Sequence, residues 1–291
     1  MRTRDVFVST GAFLSRDLPD VLEAASSLGL RHIELGSSLS PRGDMLDVVR
    51  AHRKDFEFLV HNYFPPPDVP FVLNLASQDE DVLSRSRALC LAGLRLTAEL
   101  EAPFYAAHAG FNAQPRVSDL GRPFSGGSPD DRLRAEAIFH DSVSLLVSEA
   151  HRLGVKFLIE NNVVAPFNAM EGKNPWILLA HPDELLSFAA NFSKTSFGYL
   201  LDVGHLKVGA RTLGFDASRA MDLLAPWIEC FHLSDNDGEA DSNQPFDDAA
   251  WFLPWLKRCP EAKIVIEAYR MQPEPLLSCV TIASRAGEAA R

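Results

Sequence analysis

The sequence has no uninterrupted apolar run near the roughly 18 residues that a helical bilayer span needs, so no such span is expected. It is also short of positive charge. Its 28 lysines and arginines stand against 39 aspartates and glutamates, a formal net charge of −11. A surface with that balance repels phosphate backbones and anionic headgroups, so neither nucleic acid nor a membrane is expected as a partner. Cysteine is scarce. Cys90, Cys230, Cys259 and Cys279 have no paired spacing and fall mostly in apolar contexts, which suits reduced, buried thiols better than a disulfide framework. Residues 1–5 lead directly into an apolar strand without the hydrophobic core of a signal peptide, and a cytoplasmic location is expected. No glycine-rich turn opens a helix as a phosphate cradle would, which leans against a phosphorylated substrate. No linker, repeat or low-complexity stretch divides the chain.

What is present is an ordinary globular composition, 46% hydrophobic and 23% charged. The 291 residues fit one barrel of the usual size, about 250 residues with insertions. Apolar strands are expected at 6–11, 32–37, 56–62, 103–108, 155–160, 197–201, 228–234 and 263–268. Helical patterns are expected at 18–28, 44–54, 78–100, 133–153, 182–192, 217–224, 248–258 and 275–285. Eight strands alternating with eight helices predict a single-domain α/β protein, a (β/α)8 TIM barrel over residues 1–291. The prolines at 65–67 make a rigid, non-helical loop. The polar stretch 110–131 is long for a connection and reads as a lid over the site; 162–180 is a second long loop and 235–247 a third, acidic one.

The strands end in an unusual way. A strand buried on both faces should carry few polar side chains. Here Glu160, Asp202, His232 and Glu267 stand at the ends of strands five to eight. Three acids brought together cannot all stay ionised without compensation, because like charges raise each other's pKa. A divalent cation resolves the conflict, and these four are the expected metal ligands. An oxygen-rich set with one nitrogen suits Mn²⁺ first, with Mg²⁺, Co²⁺ or Zn²⁺ as alternatives. His61 and His108 end strands three and four on the same rim, and His205 follows Asp202 by three residues. These three are candidates for a second metal or for the substrate; His205 alternatively caps a turn. Glu34 lies inside strand two and Asn161 follows Glu160; both can orient ligands or substrate from behind. Asn161, Trp176 and Asp235 are candidate substrate contacts, with Phe13, Phe64 and Phe167 as further wall residues.

With Leu201-Asp202-Val203-Gly204-His205, Ile33-Glu34-Leu35-Gly36 and the strand-ending Glu160 and Glu267, the chain resembles the xylose isomerase-like barrel superfamily over nearly its whole length. That superfamily holds sugar epimerases, hydroxypyruvate isomerase, inosose dehydratase and endonuclease IV. The resemblance implies that Glu160, Asp202, His232 and Glu267 match the single metal site of ketose 3-epimerases, whose two glutamates are also the acid/base pair. His61, His108 and His205 resemble further ligands of the three-zinc endonuclease. That enzyme also needs an Asp-x-His pair after strand seven, where this chain has Asp241-Ser242-Asn243, so no three-metal cluster is expected. The loop 234–238 lacks the arginine that several epimerases place over the substrate.

The function expected is a metal-dependent isomerase or epimerase of a small sugar or sugar derivative. Glu160 and Glu267 would transfer the proton through a metal-bound enediolate. A dehydratase of a polyol or keto-sugar on the same site, or an endonuclease IV-like phosphodiesterase, are the alternatives. The expected partner is the small carbohydrate substrate and, at most, further copies of the chain in a homo-oligomer.

Overall fold

Eight short parallel strands close on themselves in sequence order, the last pairing with the first. They are β1 (Val6–Ser9), β2 (His32–Leu35), β3 (Glu57–His61), β4 (Phe104–His108), β5 (Lys156–Glu160), β6 (Phe197–Asp202), β7 (Ile228–Leu233) and β8 (Lys263–Ile266). The computed structural model describes residues 4–123 and 131–287. Around the barrel lie α1 (Leu18–Ser27), α2 (Met45–His52), α3 (Glu80–Glu99), α4 (Arg132–Leu153), α5 (Pro182–Ala189), α6 (Val203–Leu213), α7 (Ala217–Leu224), α8 (Leu253–Arg258) and α9 (Pro273–Ala286). The expected (β/α)8 TIM barrel is therefore the observed fold.

The pleat of the strands explains where the chemistry lies. Leu59, Ala106, Leu158, Leu200, Cys230 and Val265 pack together as one buried apolar cluster inside the barrel. Successive side chains on a strand point to opposite faces, so the residue two positions on points inward again, one step higher. Those positions hold His61, His108, Glu160, Asp202, His232 and Glu267. Glu34 joins them because its ladder partner on β3 is the interior Leu59. A dry apolar plug thus forms the floor of a layer composed almost wholly of acids and imidazoles.

The structure departs from the sequence reading in three places. The helix α6 was not expected, and it starts one residue after β6 ends. Asp202 both ends the strand and caps the helix, its Oδ1 accepting from the His205 amide at 2.7 Å. His205 therefore stands on the first turn of a helix. The helix expected over 248–258 begins only at Leu253, because Asp247 Oδ1 draws in the Ala249 amide and holds a turn there. The helix expected over 182–192 stops at Ala189, where the Asn191 side chain donates to the Ser187 and Phe188 carbonyls.

The loop expected as a lid, 110–131, is described as far as Pro123, and residues 124–130 lie outside the described residues. Its first part is tied to the 162–180 loop by an antiparallel bridge between Phe111 and Ile177. Asn74 reinforces it by donating to the Phe111 and Ala113 carbonyls. All four cysteines are buried and free. Among the described residues no helix is long and apolar enough to cross a membrane.

Candidate metal centre

Glu160 is the hub of the site. Its carboxylate is fully buried, and its two oxygens face different neighbours. Oε2 lies 2.8 Å from His61 Nε2 and 3.1 Å from His108 Nδ1. Oε1 lies 3.3 Å from His232 Nδ1 and 3.7 Å from His205 Nδ1. Glu267, just past the end of β8, is held at strand register by the hydrogen bond its amide donates to the Leu233 carbonyl, and its Oε2 lies 2.6 Å from His232 Nδ1. His232 and Asp202 are ladder partners on β7 and β6 and are both buried. The four expected ligands thus converge. One ligand atom from each of Glu160, Asp202, His232 and Glu267 lies within 4.8 Å of all the others, and so does the smaller set His61, His108 and Glu160.

The unpaired atoms of the donor set show that it fits a cation. Glu160 Oε1, Asp202 Oδ2 and His232 Nδ1 are buried and lack an aligned hydrogen-bond partner. Buried polar atoms are normally paired, because leaving one unpaired costs about 1–3 kcal/mol. His232 Nδ1 is close to two carboxylate oxygens yet aligned with neither as a hydrogen bond. Short separations without hydrogen-bond alignment are what ligand atoms around a common centre show. Asp202 divides its roles cleanly, with one oxygen capping α6 and the other free.

The electrostatics describe the same cluster without a cation. Burial pushes the Glu160 carboxyl up, but His108, His61 and His232 together outweigh it and hold the group well below the ordinary range. Burial raises Asp202 strongly; His205 offsets only part of this, and Asp241, Glu267 and Glu160 add to it. Burial alone would lower His232, yet Glu267, Glu34 and Glu160 lift it well above its ordinary value. His61 is raised too, as Glu160 and Glu34 overcome burial, and His205 is raised by Asp202 and Asp241 against the same burial. His108 goes the other way, since burial takes it down to about 4 despite Glu160. The site without a cation therefore neutralises its acids with protons held on imidazoles and on Asp202.

Gly204 is required by close packing. A Cβ there would fall 2.9 Å from Ser234 Oγ and 3.1 Å from Asn236 Nδ2, which donates to the Gly204 carbonyl. His205 Nδ1 lies 2.8 Å from the Asn161 carbonyl, which turns Nε2 towards Asp241 Oδ2 at 3.2 Å.

Of the two roles expected for Asn161, substrate contact and orienting a ligand, its geometry fits the second. Its side chain is committed to the backbone of Asp202, accepting from the amide at 2.8 Å and donating to the carbonyl at 3.1 Å. Asp235 is likewise engaged elsewhere, paired with Lys207 at 2.6 Å and capping the Asn236 amide. Trp176 packs against the small cluster of Val164, Ile177 and Ala180. Phe13 and Phe64 are buried core, while Phe167 is exposed.

Two residues of the site escaped the sequence reading as site residues. Asp241 faces His205, and Asn243 donates to Asp241 Oδ2 at 3.0 Å rather than offering a second imidazole. Tyr269 lies on the β8–α9 connection with its hydroxyl 3.4 Å from Glu267 Oε1 and 48% of its surface exposed. The Glu267 charge beside it pushes its phenol well up. Gly11 makes room for it, since a Cβ there would meet the ring at 2.9 Å. Neither had a strand-end signal to give it away.

No match was found among curated protein sequences. Among solved structures, the TTHB071 protein from Thermus thermophilus, soaked with ZnCl2, is 24% identical with a TM-score of 0.66, covering 99% of this chain and 100% of its own. The 3-keto-D-glucoside 4-epimerase YcjR from E. coli is 12% identical with a TM-score of 0.67, covering 97% and 98%. D-psicose 3-epimerase with D-tagatose, from Clostridium cellulolyticum, is 14% identical with a TM-score of 0.63, covering 97% and 95%. At these identities each likeness is one of fold. The family match is made on the sequence itself, over residues 22–258, and on it the chain belongs to the xylose isomerase-like TIM barrel family.

Proposed function

We propose that the chain is a metal-dependent isomerase or epimerase of a small sugar or sugar derivative, with Glu160 and Glu267 as its acid/base pair. The observation that carries this reading is the pair of buried glutamates converging with Asp202 and His232 on one point. Neighbouring folds named as 3-keto-D-glucoside 4-epimerase and D-psicose 3-epimerase support the carbohydrate substrate. Glu160, Asp202, His232 and Glu267 would hold the cation. Bound there, a divalent ion such as Mn²⁺ supplies Lewis acidity to a carbonyl and a neighbouring hydroxyl of the substrate.

The chain's own residues do the rest. Glu160 and Glu267 are both held below the ordinary carboxylate range, chiefly by imidazoles working against burial, so both are ionised and able to accept a proton from carbon. One takes the proton from carbon and is left neutral; the other takes up a proton from water before delivering it to the opposite face, so substrate hydrogen exchanges with solvent. His205, fixed by the Asn161 carbonyl, turns Nε2 to Asp241, which favours its charged, donating form, and a substrate oxygen would share that N–H with Asp241. Tyr269 leaves its ring at the mouth and its hydroxyl on Glu267. The test is a panel of ketoses and keto-sugars incubated with the Mn²⁺-loaded protein in D₂O. Deuterium is expected on the carbon alpha to the carbonyl, and conversion with no solvent deuterium would remove the proton-transfer mechanism.

One observation favours a second reading. Glu160 turns one oxygen to His61 and His108 and the other to His232, as a carboxylate shared between two cations would. Two-metal sites suit phosphodiester hydrolysis. Cleavage of an abasic-site DNA duplex, with no ketose turned over, would select that reading.

A further inference from the structure

We propose that Glu34 is a positioning residue for the metal centre, fixing His232 in the tautomer whose Nδ1 lone pair faces Glu160, Asp202 and Glu267. This rests on the metal-binding part of the proposed function. Glu34 sits on β2 and His232 on β7, strands that do not pair, so their contact runs through the interior of the barrel. Glu34 Oε2 lies 2.9 Å from His232 Nε2 in an aligned hydrogen bond. Both side chains are buried, at 1% and 0% exposure.

A neutral imidazole has one N–H and one lone pair, so a partner that accepts at one nitrogen decides which atom can be a ligand. A carboxylate can only accept, so the hydrogen belongs on Nε2 and the lone pair on Nδ1. Nδ1 is the nitrogen that lies among the carboxylates without an aligned hydrogen bond. Carboxylates placed behind ligating histidines fix ring orientation and raise ligand basicity. The competing role is direct ligation, since Glu34, His61, His232 and Glu267 also bring one ligand atom each within 4.8 Å. Glu34 Oε1 is itself buried without a partner, so the two roles are told apart by what its loss does: a lost ligand lowers the number of metals bound, a lost orienting group weakens binding through His232. The bond from Glu34 Oε2 to the ring nitrogen opposite the one beside Glu160 and Glu267 favours orientation.

The experiment titrates Mn²⁺ into metal-free wild type, Glu34→Gln, Glu34→Leu, His232→Ala and the double variant Glu34→Gln/His232→Ala. Glu34→Gln should weaken Mn²⁺ binding about 10- to 100-fold with unchanged stoichiometry. Glu34→Leu should weaken it further, and the loss should vanish in the His232→Ala background. ¹⁵N spectra of histidine-labelled, Zn²⁺-loaded wild type should show His232 protonated at Nε2. If the leucine variant does not fold, the isosteric glutamine variant carries the test. Affinity within about twofold of wild type, a stoichiometry lowered by one metal, or a loss persisting without His232 would each overturn the proposal while leaving the metal centre standing. A wild type that binds neither Mn²⁺ nor Zn²⁺ would overturn both.

Discussion

Consider Glu160→Gln, a change that keeps size and one acceptor oxygen but removes a charge and the capacity to exchange a proton. Glu160 is buried with three imidazoles between 2.8 and 3.3 Å from its oxygens. Breaking a buried ion pair by removing one partner costs about 3–5 kcal/mol, because the other charge is stranded. For a chain of this size that is a fall in the metal-free Tm of about 5–8 °C. The pH dependence follows from the direction of the shift. The folded pKa of Glu160 is depressed, so its contribution is complete above the unfolded value and is lost as pH falls through the folded one. Wild type and variant should therefore differ fully at pH 7 and converge only in strong acid.

The same substitution reports on catalysis. With Mn²⁺ saturating, turnover should fall about 10²-fold or more, the usual loss when a general acid or base is removed. Thermal melts of the metal-free protein between pH 3 and 8, together with deuterium incorporation by the loaded enzyme, make the assay. Two results would refute the reasoning. A variant as stable as wild type at pH 7 would mean that the imidazoles around Glu160 carry no charge for it to balance. Turnover within tenfold of wild type would leave Glu160 a ligand only.

Asp202→Asn should keep α6, because the amide oxygen can still accept from the His205 backbone, yet elemental analysis should find the metal content sharply reduced. Cation binding should release protons from His232 and Asp202, the two proposed ligands raised in the metal-free site, so affinity should rise with pH; calorimetry in two buffers of different ionisation enthalpy measures the release, and no buffer difference would count against it. The three raised histidines, His232, His61 and His205, stabilise the metal-free chain fully below their unfolded value and lose that contribution as pH climbs through the folded ones, so the gain in Tm on adding Mn²⁺ should grow above pH 6.5. His205→Asn should raise KM and lower kcat while metal content stays at the wild-type level, and an emptied site would show that His205 is a ligand.

What the sequence disclosed and what it hid have one physical cause. The barrel and its ligand layer were legible because a strand repeats every two residues. An apolar residue packed inside the barrel predicts that the residue two further on points the same way, and Leu158-to-Glu160 or Cys230-to-His232 can be read without coordinates. Glu34 was legible as a residue inside β2, while its contact with His232 across the barrel was not. The helix α6 was hidden because its cap is also the last residue of β6, so the Asp202 signal was already taken as a strand ending. Loop residues obey no such period. Asp241 reaches His205 only because the acidic loop after β7 folds back, with Asn243 in a left-handed backbone conformation at φ 46° and its carbonyl accepting the Tyr269 amide. That hydrogen bond joins the β7 and β8 loops beside Asp241 and Tyr269. The strands decide which acids and imidazoles converge, while these loop contacts decide what surrounds them. The sequence therefore specified the inner layer closely and its covering loosely.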